Sequence, residues 1–395
     1  MMNKKTIIGF IFLGVVFIGG LTFCPRIDAE NLNAGIVLAD DQGNILYSRN
    51  REKLFIPASI LKILTSLAAL NLLGPDFHFS TEYYFDSDSK NLYLKGFGDP
   101  LLISEVIEKF CRKIILTTKP EQIHDIILDQ TYFSDQILVP GKGSSLNPYD
   151  APVGALSANF NTLLFQWDKK ENKFISGEPQ TPLLPVFLED IKKTRLKQGR
   201  IVLSKHQSLM YPGFLIKFFL KKNNIAVTGS VRLGKFEAKQ GGQNFFLSPF
   251  DTKQVVQKLL KYSNNYMANL IFLTLGAKTY SPPATLEKGV KAVQIFSDRH
   301  LGFDRLVLLE GSGLSRSNQI SCDQMIKILI GFMPFYSLLN NQGQDFYKTG
   351  TLSDVRTRAG YISGADGRLY PYAIMVNQKN KGYDLILKKL LDMVP

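Results

Sequence analysis

The order of apolar and polar positions lays out most of the chain before any motif is considered. Residues 34–38 and 45–48 are short apolar runs separated by Asp40-Asp41-Gln42-Gly43-Asn44, which predicts a β-hairpin. Residues 57–70 follow. Ile60, Leu61, Ile63, Leu64, Leu67, Ala68 and Leu70 cover so much of the circumference that this helix must be buried nearly all round. Pro57 stands where a helix can begin without losing a needed N–H. From 76 to 85 the pattern is aromatic-rich and alternating, as in a strand. Residues 91–95 read as a strand ending in the turn Gly96-Phe97-Gly98-Asp99-Pro100, and 103–115 as a helix. Strand-like pieces recur at 123–128, 158–166, 200–203 and 225–233, with a loop over 141–150. Beyond 245 the chain is more regular. Helices are predicted over 252–262, 267–275, 285–299, 322–332 and 383–393. Strands are predicted over 306–309, 346–351, 358–363 and 369–377, with Asp366-Gly367 at the last hairpin.

The first hairpin and the last three strands fit one antiparallel sheet flanked by helices. This is an α/β (α+β) domain built from 30–83 and 242–395, with 84–241 as an inserted β-containing region. A chain of 395 residues with 45% hydrophobic content is large enough for both cores. The charge is basic, 47 Lys+Arg against 34 Asp+Glu, a net +13. The cations are scattered, with no basic arm interleaved with aromatics, so nucleic acid is not the expected partner. The charge suits an anionic surface such as a membrane or a cell-wall polymer, or no special partner at all.

Lys4-Lys5 followed by the uncharged stretch 6–23 is the pattern of an export signal. Residues 1–29 are read as a signal peptide or an uncleaved N-terminal anchor, the latter giving membrane association. The expected location is the periplasm or the outer face of the cytoplasmic membrane. Cys24 follows the bulky Phe23, which argues against lipidation. Cys111 and Cys322 remain, and the sequence does not decide whether they pair. The four histidines are scattered and no metal-ligand spacing occurs, so neither metal nor cofactor is expected.

The candidate chemistry begins at Ser59-Ile60-Leu61-Lys62. Positions three apart share a helix face, and burial lowers a lysine pKa. A neutral lysine can take a serine proton and create a nucleophile. Alone, the pair reads as a helix start with a solvated lysine. Two further pieces change that: Ser263-Asn264-Asn265, and Lys348-Thr349-Gly350 extended by Thr351. In this order they form the motif set of penicillin-recognising serine enzymes. Ser59 would attack a carbonyl carbon and Lys62 accept its proton. Ser263 would pass a proton to the leaving amine, and Asn265 hold a substrate amide. Lys348, Thr349 and Thr351 would receive a substrate carboxylate, and Gly350 let it approach the strand. The N–H groups of Ser59 and Thr351 would stabilise the oxyanion.

The chain resembles the class C low-molecular-mass penicillin-binding proteins, the D-alanyl-D-alanine carboxypeptidase/endopeptidase (DacB-type) family. The resemblance rests on Pro57-Ala58-Ser59-Ile60-Leu61-Lys62, Gly96-Phe97-Gly98-Asp99-Pro100-Leu101 and Asp129-Gln130-Thr131-Tyr132-Phe133. It rests also on Gly311-Ser312-Gly313-Leu314-Ser315-Arg316 and Lys348-Thr349-Gly350-Thr351-Leu352. It implies a β-lactamase/transpeptidase-like domain with modules inserted between the first and second motifs. It also implies hydrolysis of peptidoglycan stem peptides and covalent inhibition by β-lactams. Asp129 and Arg316 match residues that help bind the free end of the stem in relatives. There are departures: Asn264 and Glu310 replace aspartates, Asn269 stands where an acid is usual, and a tryptophan expected near Gly141 is missing. The insertion is compact. These departures bear on stem specificity. A β-lactamase or esterase on the same scaffold is one alternative, and a non-catalytic muropeptide-binding envelope protein is another.

Overall fold

The computed structural model describes residues 32–143, 145–236 and 242–395. The leader or anchor expected over 1–29, with Cys24, lies outside them. The predicted hairpin is β1 (Ala34–Ala39) and β2 (Ile45–Arg49). Its turn is closed by Asp40 Oδ1, which accepts the N–H groups of Gln42 and Asn44. A 3₁₀ turn, Ala58–Leu61, runs into α1 (Lys62–Leu72), and every residue from Lys62 to Leu70 is buried.

The middle of the chain supplies β3 (His78–Asp86), β4 (Asn91–Gly96), α2 (Ser104–Thr118), β5 (Gln122–Ile123) and β6 (Ile126–Asp129). After a long loop come β7 (Thr162–Asp168), β8 (Lys173–Ser176), α3 (Leu188–Lys193), β9 (Gln198–Val202) and α4 (Lys205–Lys222). Then follow β10 (Ala226–Val227), β11 (Val231–Leu233) and β12 (Asn244–Asp251). The last part holds α5 (Thr252–Tyr262), α6 (Asn265–Tyr280), α7 (Leu286–Leu301) and α8 (Cys322–Phe332). It ends with β13 (Asn340–Gln342), β14 (Asp345–Leu352), β15 (Val355–Ser363), β16 (Leu369–Asn377) and α9 (Asp384–Leu391).

The expected sheet forms from the two ends of the chain: six strands in the order β13-β14-β15-β16-β1-β2, all antiparallel. One face, with Val37, Ala359, Ala373 and Met375, packs on a core shared with α1, α5, α6, α7 and α8. The other, with Ile36, Leu38, Ile374 and Val376, is covered by Ile386 and Leu390 of α9. Burial on both faces explains why β1 is apolar throughout.

The middle region has a core of its own, running from Tyr83 to Leu220. It contains a five-stranded mixed sheet, β11-β6-β4-β3-β12, and a three-stranded sheet, β8-β7-β9. Because β3 and β12 belong to the five-stranded sheet, that sheet extends beyond 84–241 on both sides. A smaller cluster joins the two parts: Tyr132, Phe133, Ala151 and Ala155 pack on Tyr266, Leu270 and Leu273 of α6.

Several local readings differ from the sequence expectation. The 225–233 strand is two short ones, β10 and β11. The 123–128 strand is two short ones, β5 and β6, each taking a parallel partner. At 306–309 there is no strand, only a bridge between Val307 and Gln319, because the Asn318 side chain takes the Leu309 N–H instead. Helix α4 is absent from the pattern because Pro212-Gly213 interrupts it. It forms nonetheless, started by a Ser204/Gln207 capping box and held by the buried Tyr211, Leu215, Ile216, Phe219 and Leu220. The two described cysteines do not pair: Cys111 and Cys322 are free and buried in different cores.

A buried ion pair ties β14 to its neighbours. Arg358 of β15 donates to Asp345 Oδ2 through Nη2 at 2.5 Å and Nε at 3.0 Å. Tyr372 of β16 donates to Asp345 Oδ1 at 2.7 Å, and the guanidinium carbon lies 3.4 Å from the centroid of the Tyr347 ring. Removing one member strands a buried charge. Asp345→Ala is expected to lower unfolding free energy by about 3–5 kcal/mol, measured by denaturant titration. A loss under about 1 kcal/mol would show that the pair is solvated.

Candidate active site

Ser59 is the second residue of the 3₁₀ turn and Lys62 the first of α1. The pair therefore spans a junction between two helix types, where a single helix is expected from the sequence. In a 3₁₀ turn residues three apart eclipse each other, and Lys62 Nζ lies 2.8 Å from Ser59 Oγ. Ser59 is partly exposed while Lys62 is fully buried. The lysine Nζ has two further partners, Asn265 Oδ1 at 2.6 Å and the Ser312 carbonyl at 2.7 Å. Both are acceptors only, so each takes an N–H. A neutral amine has two N–H bonds and one lone pair. In that neutral form, with both hydrogens so placed, the third contact, to Ser59 Oγ, is the one left for the lone pair. Burial, and then the charge of Lys348, hold the Lys62 pKa well below its ordinary value, while Glu310 acts the other way.

Helix α5 ends at Ser263 in the left-handed conformation, φ 51° and ψ 38°. The chain reverses there into α6, which carries Asn265 to Lys62 and leaves Ser263 partly exposed. Asn264 caps α6 by accepting the Met267 N–H at 3.1 Å. An aspartate would make the same cap, so this departure leaves the local fold unchanged.

The third motif lies on β14. A Cβ on Gly350 would sit 2.7 Å from Ser59 N, 2.9 Å from Pro57 O and 2.3 Å from Thr357 Oγ1. Only glycine lets the strand lie this close to the nucleophile turn. Thr357 Oγ1 donates to Pro57 O at 2.8 Å and pins the turn to β15. Lys348 is buried and donates to the Thr349 carbonyl at 2.7 Å. Burial pulls its pKa down to about 8. Thr349 is partly exposed and Thr351 exposed.

Residues 310–318 form the floor, and sequence reasoning underrates them. Gly313, at φ +80°, packs so tightly that a Cβ would meet Ala58 O at 1.8 Å. Gly311 is held at both ends: its N–H donates to Asn269 Oδ1 at 3.0 Å, and its carbonyl accepts from Thr65 Oγ1 at 2.6 Å. Asn269, noted from sequence only as a departure, is thus a loop anchor. The one signal for Glu310 was its place beside the Gly311-Ser312-Gly313 turn, and for Asn269 its place after Ser263-Asn264-Asn265.

The remaining two candidates stand apart from this network. Arg316 is exposed and donates to the Ser353 carbonyl at 2.7 Å, just past the end of β14. Asp129 is buried at the end of β6, in the inserted region. Its carboxylate accepts the N–H groups of Thr131 at 2.7 Å and Phe236 at 2.8 Å, with Lys95 Nζ 3.9 Å away. Among the described residues no group of three or more His, Cys, Asp or Glu is placed to hold a metal ion.

A family model, the D-Ala-D-Ala carboxypeptidase 3 (S13) family, matches residues 24–210 and 194–334. The chain belongs to that family. It is a serine D-alanyl-D-alanine carboxypeptidase, a hydrolase of peptidoglycan peptides. It is 26% identical over 415 residues to a D-alanyl-D-alanine carboxypeptidase of Actinomadura sp. (strain R39), covering 86% of this chain and 77% of the relative. It is 22% identical to D-alanyl-D-alanine carboxypeptidase DacB of Haemophilus influenzae, over 89% of this chain and 87% of the other. Its fold is similar to that of penicillin binding protein 4 (dacB) from Haemophilus influenzae, with a TM-score of 0.73 at 18% identity over 93% of this chain and 98% of that one. A β-lactam complex of that protein matches with a TM-score of 0.69. The β-lactamase/transpeptidase-like fold expected from the motifs is the one observed.

Gly350→Ala tests the closeness of strand and turn. The added methyl must push β14 from Ser59, so penicillin acylation is expected to fall at least about 100-fold, some 2.7 kcal/mol of barrier, with the far-UV spectrum unchanged. Acylation within about threefold of wild type would mean that the strand moves freely.

Proposed function

We propose that this S13 enzyme cleaves D-Ala-D-Ala ends, and cross-links of the same chemistry, through an acyl-enzyme on Ser59. The observation that carries this is the buried Lys62 Nζ, with two carbonyl acceptors and the Ser59 hydroxyl as its partners. In the first step Ser59 Oγ bonds to the penultimate D-Ala carbonyl carbon as its proton passes to Lys62. The oxyanion is received by the N–H groups of Ser59 and Thr351. The C–N bond then breaks, and the leaving amine takes its proton through Ser263. Water reverses the sequence at the ester and frees Ser59. Because Asn265 Oδ1 is engaged by Lys62, the group it offers substrate is its Nδ2 donor.

Lys348, Thr349 and Thr351 receive the terminal carboxylate, and Gly350 gives it access to the strand. Arg316, exposed beyond the end of β14, contacts the free end of the stem. Asp129 contributes to that contact through the β6 end it fixes. Residues 84–241 act as an inserted domain that buttresses α6 and walls the cleft. β-Lactams enter the same path and leave Ser59 acylated. Glu310, the carboxylate joined to Lys62 through Ser312, has both oxygens occupied, which weighs against a β-lactamase with a dedicated deacylating acid. Export to the periplasm or the outer face of the cytoplasmic membrane fits a cell-wall substrate. Among the described residues no helix is long and apolar enough to cross a membrane.

Two outcomes are expected. Intact mass after brief benzylpenicillin exposure shows one penicilloyl group on wild type and none on Ser59→Ala. An adduct on the variant would place the nucleophile elsewhere. Second, Lys348 loses its charge above about pH 8, so kcat/KM for a peptide with a free terminal carboxylate falls above that pH. A peptide amidated at that end lacks this alkaline limb. Equal alkaline limbs for both peptides would remove Lys348 from carboxylate binding.

A further inference from the structure

Glu310 is fully buried, yet it is not part of any motif assigned above. Its Oε2 accepts the Ser312 N–H at 2.8 Å and the Ser312 hydroxyl at 2.5 Å. Its Oε1 accepts the Ser315 N–H at 3.2 Å and the Asn318 side-chain amide at 2.7 Å. All four partners can donate, and three can only donate, which is the environment of an ionised carboxylate. Two of the four bonds come from Ser312, whose carbonyl accepts from Lys62 Nζ at 2.7 Å. Asn318, held by the same carboxylate, in turn accepts the Leu309 N–H at 2.7 Å and so fixes the chain on the other side of Glu310.

We propose that Glu310 is a positioning residue for acylation. Its carboxylate holds the Ser312 carbonyl at the point where Lys62 donates, and its charge stands behind the lysine as a fixed counterweight to Lys348. This rests on the reading of Lys62 as the base. The charged groups that act on Lys62 are Lys348 from β14 and Glu310 from the floor loop, while α6 presents the uncharged Asn265. Burial and then Lys348 lower the pKa of Lys62, and Glu310 raises it. The two roles separate in their effects. Losing the hydrogen bonds loosens the Ser312 carbonyl, frees one Nζ hydrogen and misdirects the lone pair, which lowers the maximal rate. Losing the charge leaves Lys62 neutral at lower pH, which moves the acid limb of the rate profile downward.

The test is the pH profile of benzylpenicillin acylation, per acylatable site, for wild type, Glu310→Gln, Glu310→Asp and Lys62→Ala. For Glu310→Gln the plateau is expected to fall about tenfold or more, and the acid limb to move to lower pH by roughly half a unit or more. A plateau loss with an unmoved limb would reduce Glu310 to a structural residue and overturn the proposal, as would an unchanged profile. If Glu310→Gln yields no folded protein, Glu310→Asp decides. Its charge is retained one methylene further back, so the limb moves the same way by less and the plateau drops severalfold. A Glu310→Asp profile identical to wild type overturns the proposal. Wild-type acylation by Lys62→Ala would instead refute the base assignment, and with it this inference.

Discussion

The structure depends on one buried amine. Lys62 Nζ is removed from water, surrounded by a hydroxyl and two carbonyl oxygens, and set near a second buried lysine. Each factor disfavours the ammonium or directs the hydrogens of the amine. The catalytic motifs are best understood as the means of holding that environment together. Motif two supplies an acceptor through Asn265, motif three supplies the second charge through Lys348, and the loop after Glu310 supplies the other acceptor through Ser312.

Holding these pieces at hydrogen-bond distance demands rigid support. The six-stranded sheet brings chain ends more than 300 residues apart into register, with β1 paired to β16. Its β14 strand is stiffened by the Asp345–Arg358–Tyr372 group and abuts the nucleophile turn at Gly350. On the other side, the middle region clamps α6 through Tyr132 and Phe133, which pack with Tyr266 and Leu270, so the turn bearing Ser263 is fixed from outside the six-stranded sheet. The middle region thus reaches this site through packing, and none of its described residues bonds to Lys62.

Much of this was legible in the sequence. The apolar runs at 34–38 and 369–377 anticipated the sheet because strands buried on both faces have few polar positions to blur the pattern, and 45–48 was legible as the partner across the first hairpin although it forms the exposed edge. The Ser59, Ser263 and Lys348 motifs were legible because each chemical role restricts residue type. What was hidden depended on long-range contacts. Helix α4 overrides its Pro212 through packing that no local window contains. The expected strand at 306–309 is lost to a single side chain, Asn318. The roles of Thr65, Asn269 and Glu310 arise only when the floor loop folds under α1. Asn269 and Glu310 drew notice merely as unusual letters. Asp129 shows the converse: it matches a family position, and the fold commits both of its oxygens to backbone N–H groups.

The central claim is that Lys62 is neutral when Ser59 attacks the substrate carbonyl. The most direct measurement is lysine-side-chain NMR of the isotopically labelled enzyme as pH is varied, with the Lys62 signal identified by its loss in Lys62→Arg. The account predicts that the Lys62 amine loses its charge at a pH well below that at which the exposed lysines do. A Lys62 signal that stays charged with the exposed lysines into the alkaline range would contradict it, and another route for the Ser59 proton would be needed.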